Sequence, residues 1–162
     1  MAAALRVLSV AVASGRAGYV FIANGQLCDW GITVKATSSP TEIAGFAQGL
    51  INDLKPDVVV TEKCDEDSRK GKRSRKLIKA IMETASHNYV LDVSVPRPRQ
   101  HQSKYEEAAE LAKRYPDVAG YLPERKRRIF DFEPRSMIIF EALALAEAVI
   151  QGPPDALAAA MG

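Results

Sequence analysis

Residues 55–62 read KPDVVVTE, and the rest of the chain is ordered around them. Pro56 cannot continue a helix, so the helix before it ends at Lys55-Pro56-Asp57. Val58 to Thr61 is a short, continuous apolar run, the pattern of a strand buried on both faces. It ends on an acid, Glu62. Open α/β sheets place their ligands outside the carboxyl ends of such strands. Glu62 is therefore either a site residue or a surface acid satisfied by water, as residues at sheet ends commonly are.

Working back from this strand, three more strands precede it. Leu5 to Val12 (LRVLSVAV) is apolar and β-rich, residues 14–18 form a turn, and Tyr19 to Ala23 is a second strand. Asn24-Gly25 is a hairpin signal, because a two-residue turn of this kind needs positive φ at both positions. Leu27 to Val34 then makes a third strand. Tight turns between the three require an antiparallel meander. A helix follows, with Ser39 as N-cap, Pro40 at the first position and Glu42 completing a capping box. Its apolar stripe is Ile43, Phe46, Ala47, Leu50, Ile51 and Leu54.

Beyond Glu62, residues 64–71 read as a polar loop, residues 72–86 as a helix, and Tyr89 to Val95 as a fifth strand. A Pro- and Arg-rich loop spans 96–102. Ser103 and Glu106 form a second capping box for a helix reaching about Arg114. Residues 116–131 read as irregular and basic. A long helix runs from about Pro134 to Ile150, stopped by Gly152-Pro153-Pro154. This order predicts a single α/β domain over residues 1–162, with its core at about 5–150 and a C-terminal tail at 151–162. The sheet is five-stranded and mixed: an antiparallel meander of strands 1–3, then parallel strands 4 and 5, with helices on both faces. Strands one and four, both continuous apolar runs, belong at its centre.

The 162 residues are 47% apolar and 26% charged, a globular composition. Cys28 and Cys64 lack a CxxC spacing and read as free thiols in a reducing, cytoplasmic setting. No run approaches the roughly 18 apolar residues of a membrane span. Residues 1–8 lack the pattern of a signal peptide. P-loop, GxGxxG, GxSxG and HExxH motifs are all missing from the sequence, which removes several enzyme classes.

Net charge is only +2, but it is segregated. Six of the eight residues from 69 to 76 are basic: Arg69, Lys70, Lys72, Arg73, Arg75 and Lys76. Arg125, Lys126, Arg127 and Arg128 form a second cluster, and Arg97 and Arg99 a third group. A solvated lysine-rich helix would intersperse acids at i,i+4, and none occurs between Arg69 and Lys79. Cations crowded at a helix start, against the macrodipole, suit an anionic partner. The pattern points to nucleic-acid phosphates; a merely solvated loop and helix start is the other reading.

Glu141 is the second candidate acid. It lies in a helix apolar almost all round, where a carboxylate must be paired, metal-bound or at the rim reaching water. Glu147 reads as solvated. His87 and His101 have no metal-ligand partner at suitable spacing, and the acidic knot Asp65, Glu66 and Asp67 either supplies accessory ligands or balances the basic run.

With these elements placed, the chain resembles the ribonuclease-H-like superfamily, and within it the Holliday-junction resolvase (RuvC) branch. The resemblance rests on three segments, LSVAVASGRAGY (8–19), KPDVVVTE (55–62) and FEALALA (140–146), and on their order and spacing. It implies a divalent-metal-dependent endonuclease on structured DNA. In that family, acids hold two Mg²⁺ or Mn²⁺ ions about 4 Å apart. Carried over, Glu62 matches the second acid and Glu141 the last, as catalytic residues and metal ligands. The first acid falls on Ala11, and another, one turn before Glu141, on Ile138. Asp131, Glu133 or Asp29 are the carboxylates that could substitute. The basic groups, including Arg97 and Arg99, would contact DNA, and a homodimer would suit a two-fold junction. With two acids missing, the alternative is a catalytically degenerate domain that binds nucleic acid or protein without cutting.

Overall fold

The first strand, β1 (Arg6–Ala13), is apolar on both faces because both faces are covered. The computed structural model describes residues 5–64, 70–97, 104–122 and 136–151. In it, β1 pairs antiparallel with β2 (Arg16–Ala23), and β2 pairs antiparallel with β3 (Gln26–Thr33). Asn24 and Gly25 have φ of 55° and 77°, as the hairpin requires. β4 (Val58–Glu62) runs parallel to β1, and β5 (Leu91–Val95) parallel to β4, giving the order β3-β2-β1-β4-β5. The expected mixed sheet, with strands one and four adjacent, is the one formed.

Between β3 and β4 lies α1 (Pro40–Leu54). Ser39 Oγ accepts the Glu42 amide at 3.1 Å, so the capping box is half made. The helix ends at Lys55, which takes a left-handed φ of 49° and donates its amide to the Ile51 carbonyl. Asp57 and Arg6 then join the incoming β4 to β1: each donates its backbone amide to the other, Arg6 N to Asp57 Oδ2 at 3.0 Å and Asp57 N to Arg6 O at 2.9 Å. α2 (Lys72–His87) precedes β5. Tyr89, expected in the fifth strand, instead sits at φ 58° in the turn after α2, and β5 begins two residues later.

α3 (Lys104–Arg114) leads into a 3-10 helix at Pro116–Tyr121, where only irregular chain was expected; the fully buried Val118 anchors it. The N-cap expected at Ser103 and the helix start expected at Pro134 lie outside the described residues; α4 is described over Met137–Ile150. Strand alternation divides the core. Leu8, Val10, Val12, Phe21 and Val59 pack with α1 and α2, whereas Val7, Ala11, Val60, Val93 and Val95 pack with α3 and α4. Burying two faces of β1 and β4 is why those strands are apolar without alternation.

α4 lies directly against the sheet. Ser9 Oγ, fully buried, donates to the Ala142 carbonyl at 2.7 Å. A Cβ on Gly18 would stand 2.7 Å from Ile138 Cγ2, so only glycine lets the helix approach this closely. Both cysteines are free thiols. Among the described residues no helix is long and apolar enough to cross a membrane.

Candidate functional site

The site forms at the carboxyl end of the two central strands. Ser9 pairs with Val60 in the parallel β1–β4 ladder, so Ala11 and Glu62 stand two residues further along, side by side. Both face the α3–α4 side, the face on which Val60 packs. Glu62 is half-buried and makes no ion pair with a described residue. Ala11 pairs with Gly18 across β1 and β2, and Gly18 lies against Ile138. Glu141 follows Ile138 by three residues, nearly one helical turn. The topology thus brings Ala11, Glu62, Ile138 and Glu141 to one end of the sheet.

Glu141 is 7% exposed, and it is paired, not reaching water from a rim. Lys104 Nζ donates to Oε1 at 3.0 Å and Arg97 Nη1 to the same oxygen at 3.2 Å. Lys70 Nζ stands 3.9 Å from Oε2 and also donates to the Val12 carbonyl, at the end of β1. Burial pushes the Glu141 carboxyl pKa up. Arg97, Lys70 and Lys104 outweigh that cost, and the carboxyl is held below its ordinary value. Arg97 also reaches Glu107 on α3, 3.8 Å away.

Ala11 and Ile138 are 2% and 1% exposed and offer no oxygen. Among the described residues, no group of three or more His, Cys, Asp or Glu could hold a metal ion. The described side chains therefore do not fit a two-metal centre: two positions are apolar, and one of the two described carboxylates is enclosed by cations. Of the possible substitutes, Asp29 accepts the Tyr19 hydroxyl at 3.0 Å on the opposite edge of the sheet, and Asp131 and Glu133 lie outside the described residues.

The basic segment divides into anchors and exposed charges. Arg75 Nε donates to the Lys70 carbonyl at 3.1 Å. Arg73 Nη2 donates to the Thr37 and Ser38 carbonyls at 3.2 and 3.3 Å, tying the start of α2 to the approach to α1. Lys72 and Lys76 are exposed on the first turns of α2, which has no side-chain cap and no acid in its first turn. Arg69, Arg99, Arg125, Lys126, Arg127 and Arg128 lie outside the described residues, as do Asp65, Glu66, Asp67 and His101. Glu147, expected to be solvated, is 8% exposed and pairs with Arg114 Nη1 at 3.2 Å. It is enclosed because α3 covers that face of α4.

The comparisons with known proteins follow this architecture. No protein-family model and no curated protein matches the chain. Solved structures do. RuvC of Thermus thermophilus superposes with a TM-score of 0.63 at 15% identity, covering 91% of this chain and 97% of that one. This chain thus has a ribonuclease-H-like fold of the RuvC type. The fowlpox virus resolvase, solved with Holliday junction DNA, gives 0.56 at 14% identity over 90% and 99% of the two chains. The yeast mitochondrial Holliday junction resolvase gives 0.52 at 14% identity over 91% and 78%. Within the RuvC-type fold, the lysines and arginine on Glu141 are the part that sequence reasoning missed. The sequence pattern assigns Lys70 and Arg97 to DNA and gives Lys104 no role. Their shared position beside one helical carboxylate had no local signal.

Proposed function

We propose that this chain is a nucleic-acid-binding protein that uses its RuvC-type fold to hold branched DNA by fixed positive charge, without metal-dependent cleavage. One observation supports this most: Glu141, an expected metal ligand, is matched by Lys70, Arg97 and Lys104. A divalent ion would have to approach through three like charges to reach it. The exposed Lys72 and Lys76 beside this site supply phosphate contacts, with Arg69 and Arg99 proposed to join them. Structures of Thermus thermophilus RuvC and of the fowlpox resolvase contain Holliday junction DNA, and a four-way junction is the first ligand to try. A homodimer would present two such faces to its two-fold symmetry. The competing reading, an Mg²⁺- or Mn²⁺-dependent endonuclease with Glu62 and Glu141 as ligands, draws on Glu62, which is half-buried at the same strand end with no described ion pair.

Gel shifts of a four-way DNA junction and of linear duplex, both in EDTA, test this. The junction is expected to bind without metal and more tightly than the duplex. Binding should weaken steeply between about 50 and 200 mM salt, with a log–log slope of about −0.9 per neutralised phosphate. Absence of junction binding in EDTA at low salt would remove the reading.

A further inference from the structure

Lys70 lies on the segment that enters α2, and the Arg75 guanidinium fixes its backbone by bonding its carbonyl. Its side chain is only 16% exposed. Among the described residues, the ammonium meets oxygens of two different origins: the Val12 carbonyl at the end of β1 and the Glu141 carboxylate on α4. A backbone carbonyl and a carboxylate are the kinds of oxygen that a hard divalent cation collects. An ammonium is a compact point charge with three donors, and it can satisfy the same pair. Placing it there is costly unless such partners exist, and both are present. The neighbouring positions, Ala11 and Ile138, are closed and apolar, so they add nothing a metal could use.

We propose that Lys70 is the resident cation of this site: its ammonium takes the place of a divalent metal ion between β1 and α4, and a nucleic-acid backbone phosphate meets that ammonium there in place of a metal. The ligand in this proposal rests on the DNA-binding reading, whereas the exchange of metal for lysine does not and is measured without DNA.

The variant to make is Lys70→Met, which keeps the stem and removes the charge. Melting of the full chain is followed with and without millimolar Mn²⁺. Wild type should be unmoved by Mn²⁺. Lys70→Met should be stabilised by it, and Lys70→Met/Glu141→Gln should lose that response. Should Lys70→Met not fold, Lys70→Gln carries the same measurement. Stabilisation of the wild type by Mn²⁺ that Glu141→Gln removes would overturn the proposal, and so would a charge-free variant indifferent to Mn²⁺. In the DNA arm, wild type should bind the junction equally in EDTA and in Mn²⁺. Lys70→Met should bind about tenfold more weakly in EDTA, the size of one charge-assisted hydrogen bond, and recover with Mn²⁺. Wild-type affinity of Lys70→Met in EDTA would overturn the phosphate role. If wild type itself binds no junction, the DNA-binding reading fails, while the melting arm still decides the exchange.

Discussion

Glu141→Gln is expected to lose about 2–3 kcal/mol of stability at neutral pH. Removing one partner of a buried ion pair costs roughly 3–5 kcal/mol, because the other charges stay behind. Here the carboxylate is buried, but its partners Lys70, Arg97 and Lys104 are 16%, 25% and 42% exposed. Water screens part of their loss, which brings the figure down. The pH dependence follows from the sign of the shift. A carboxyl whose folded pKa lies below its unfolded one stabilises the fold above the unfolded value. That stabilisation is lost as pH falls through the folded value. The ordinary glutamate value is 4.5 and burial alone would raise it, but the three cations hold Glu141 lower. The gap between wild type and Glu141→Gln should therefore be full above about pH 5 and shrink as the pH drops below the ordinary range. Urea unfolding at several pH values reads this directly. A gap that is absent at pH 7, or that widens in acid, would mean that the cations do not hold the carboxylate.

The second large effect concerns DNA. Lys72→Ala/Lys76→Ala should weaken junction binding by roughly tenfold to a hundredfold and flatten the salt slope by about two. Stability should stay within about 0.5 kcal/mol, since both side chains are exposed on α2. Arg73→Ala should behave differently. Its guanidinium bonds the Thr37 and Ser38 carbonyls, so its loss should cost about 1 kcal/mol of stability besides any change in binding. Fluorescence anisotropy over a salt series, paired with urea unfolding, separates the two classes. Equal losses of stability in both would contradict the division into anchors and exposed charges.

Much of the fold was legible because its signals are local. Asn24-Gly25 specifies a turn through backbone φ alone, and Ser39, Pro40 and Glu42 mark a helix start within four residues. The continuous apolar runs of β1 and β4 revealed their central place, because only a strand covered on both faces tolerates such a pattern. The site was legible in part. Glu62 ends a buried strand, and a strand end can be read from sequence. The surroundings of Glu141 could not be read. Its partners lie 37, 44 and 71 residues away along the chain, and long basic side chains show up in sequence as surface charge whichever way they turn. Glu147 was missed for a related reason: in a helix apolar all round, periodicity does not say which polar residue another helix will cover. Tyr89, expected at the start of the fifth strand, instead takes the left-handed turn after α2.

The most direct test of the central claim is strand cleavage. A labelled four-way junction is incubated with excess wild-type protein in Mn²⁺, after binding has been established in EDTA. The junction is expected to be bound and intact in both conditions. Nicks that appear only with Mn²⁺, and that disappear in Glu62→Gln, would contradict it.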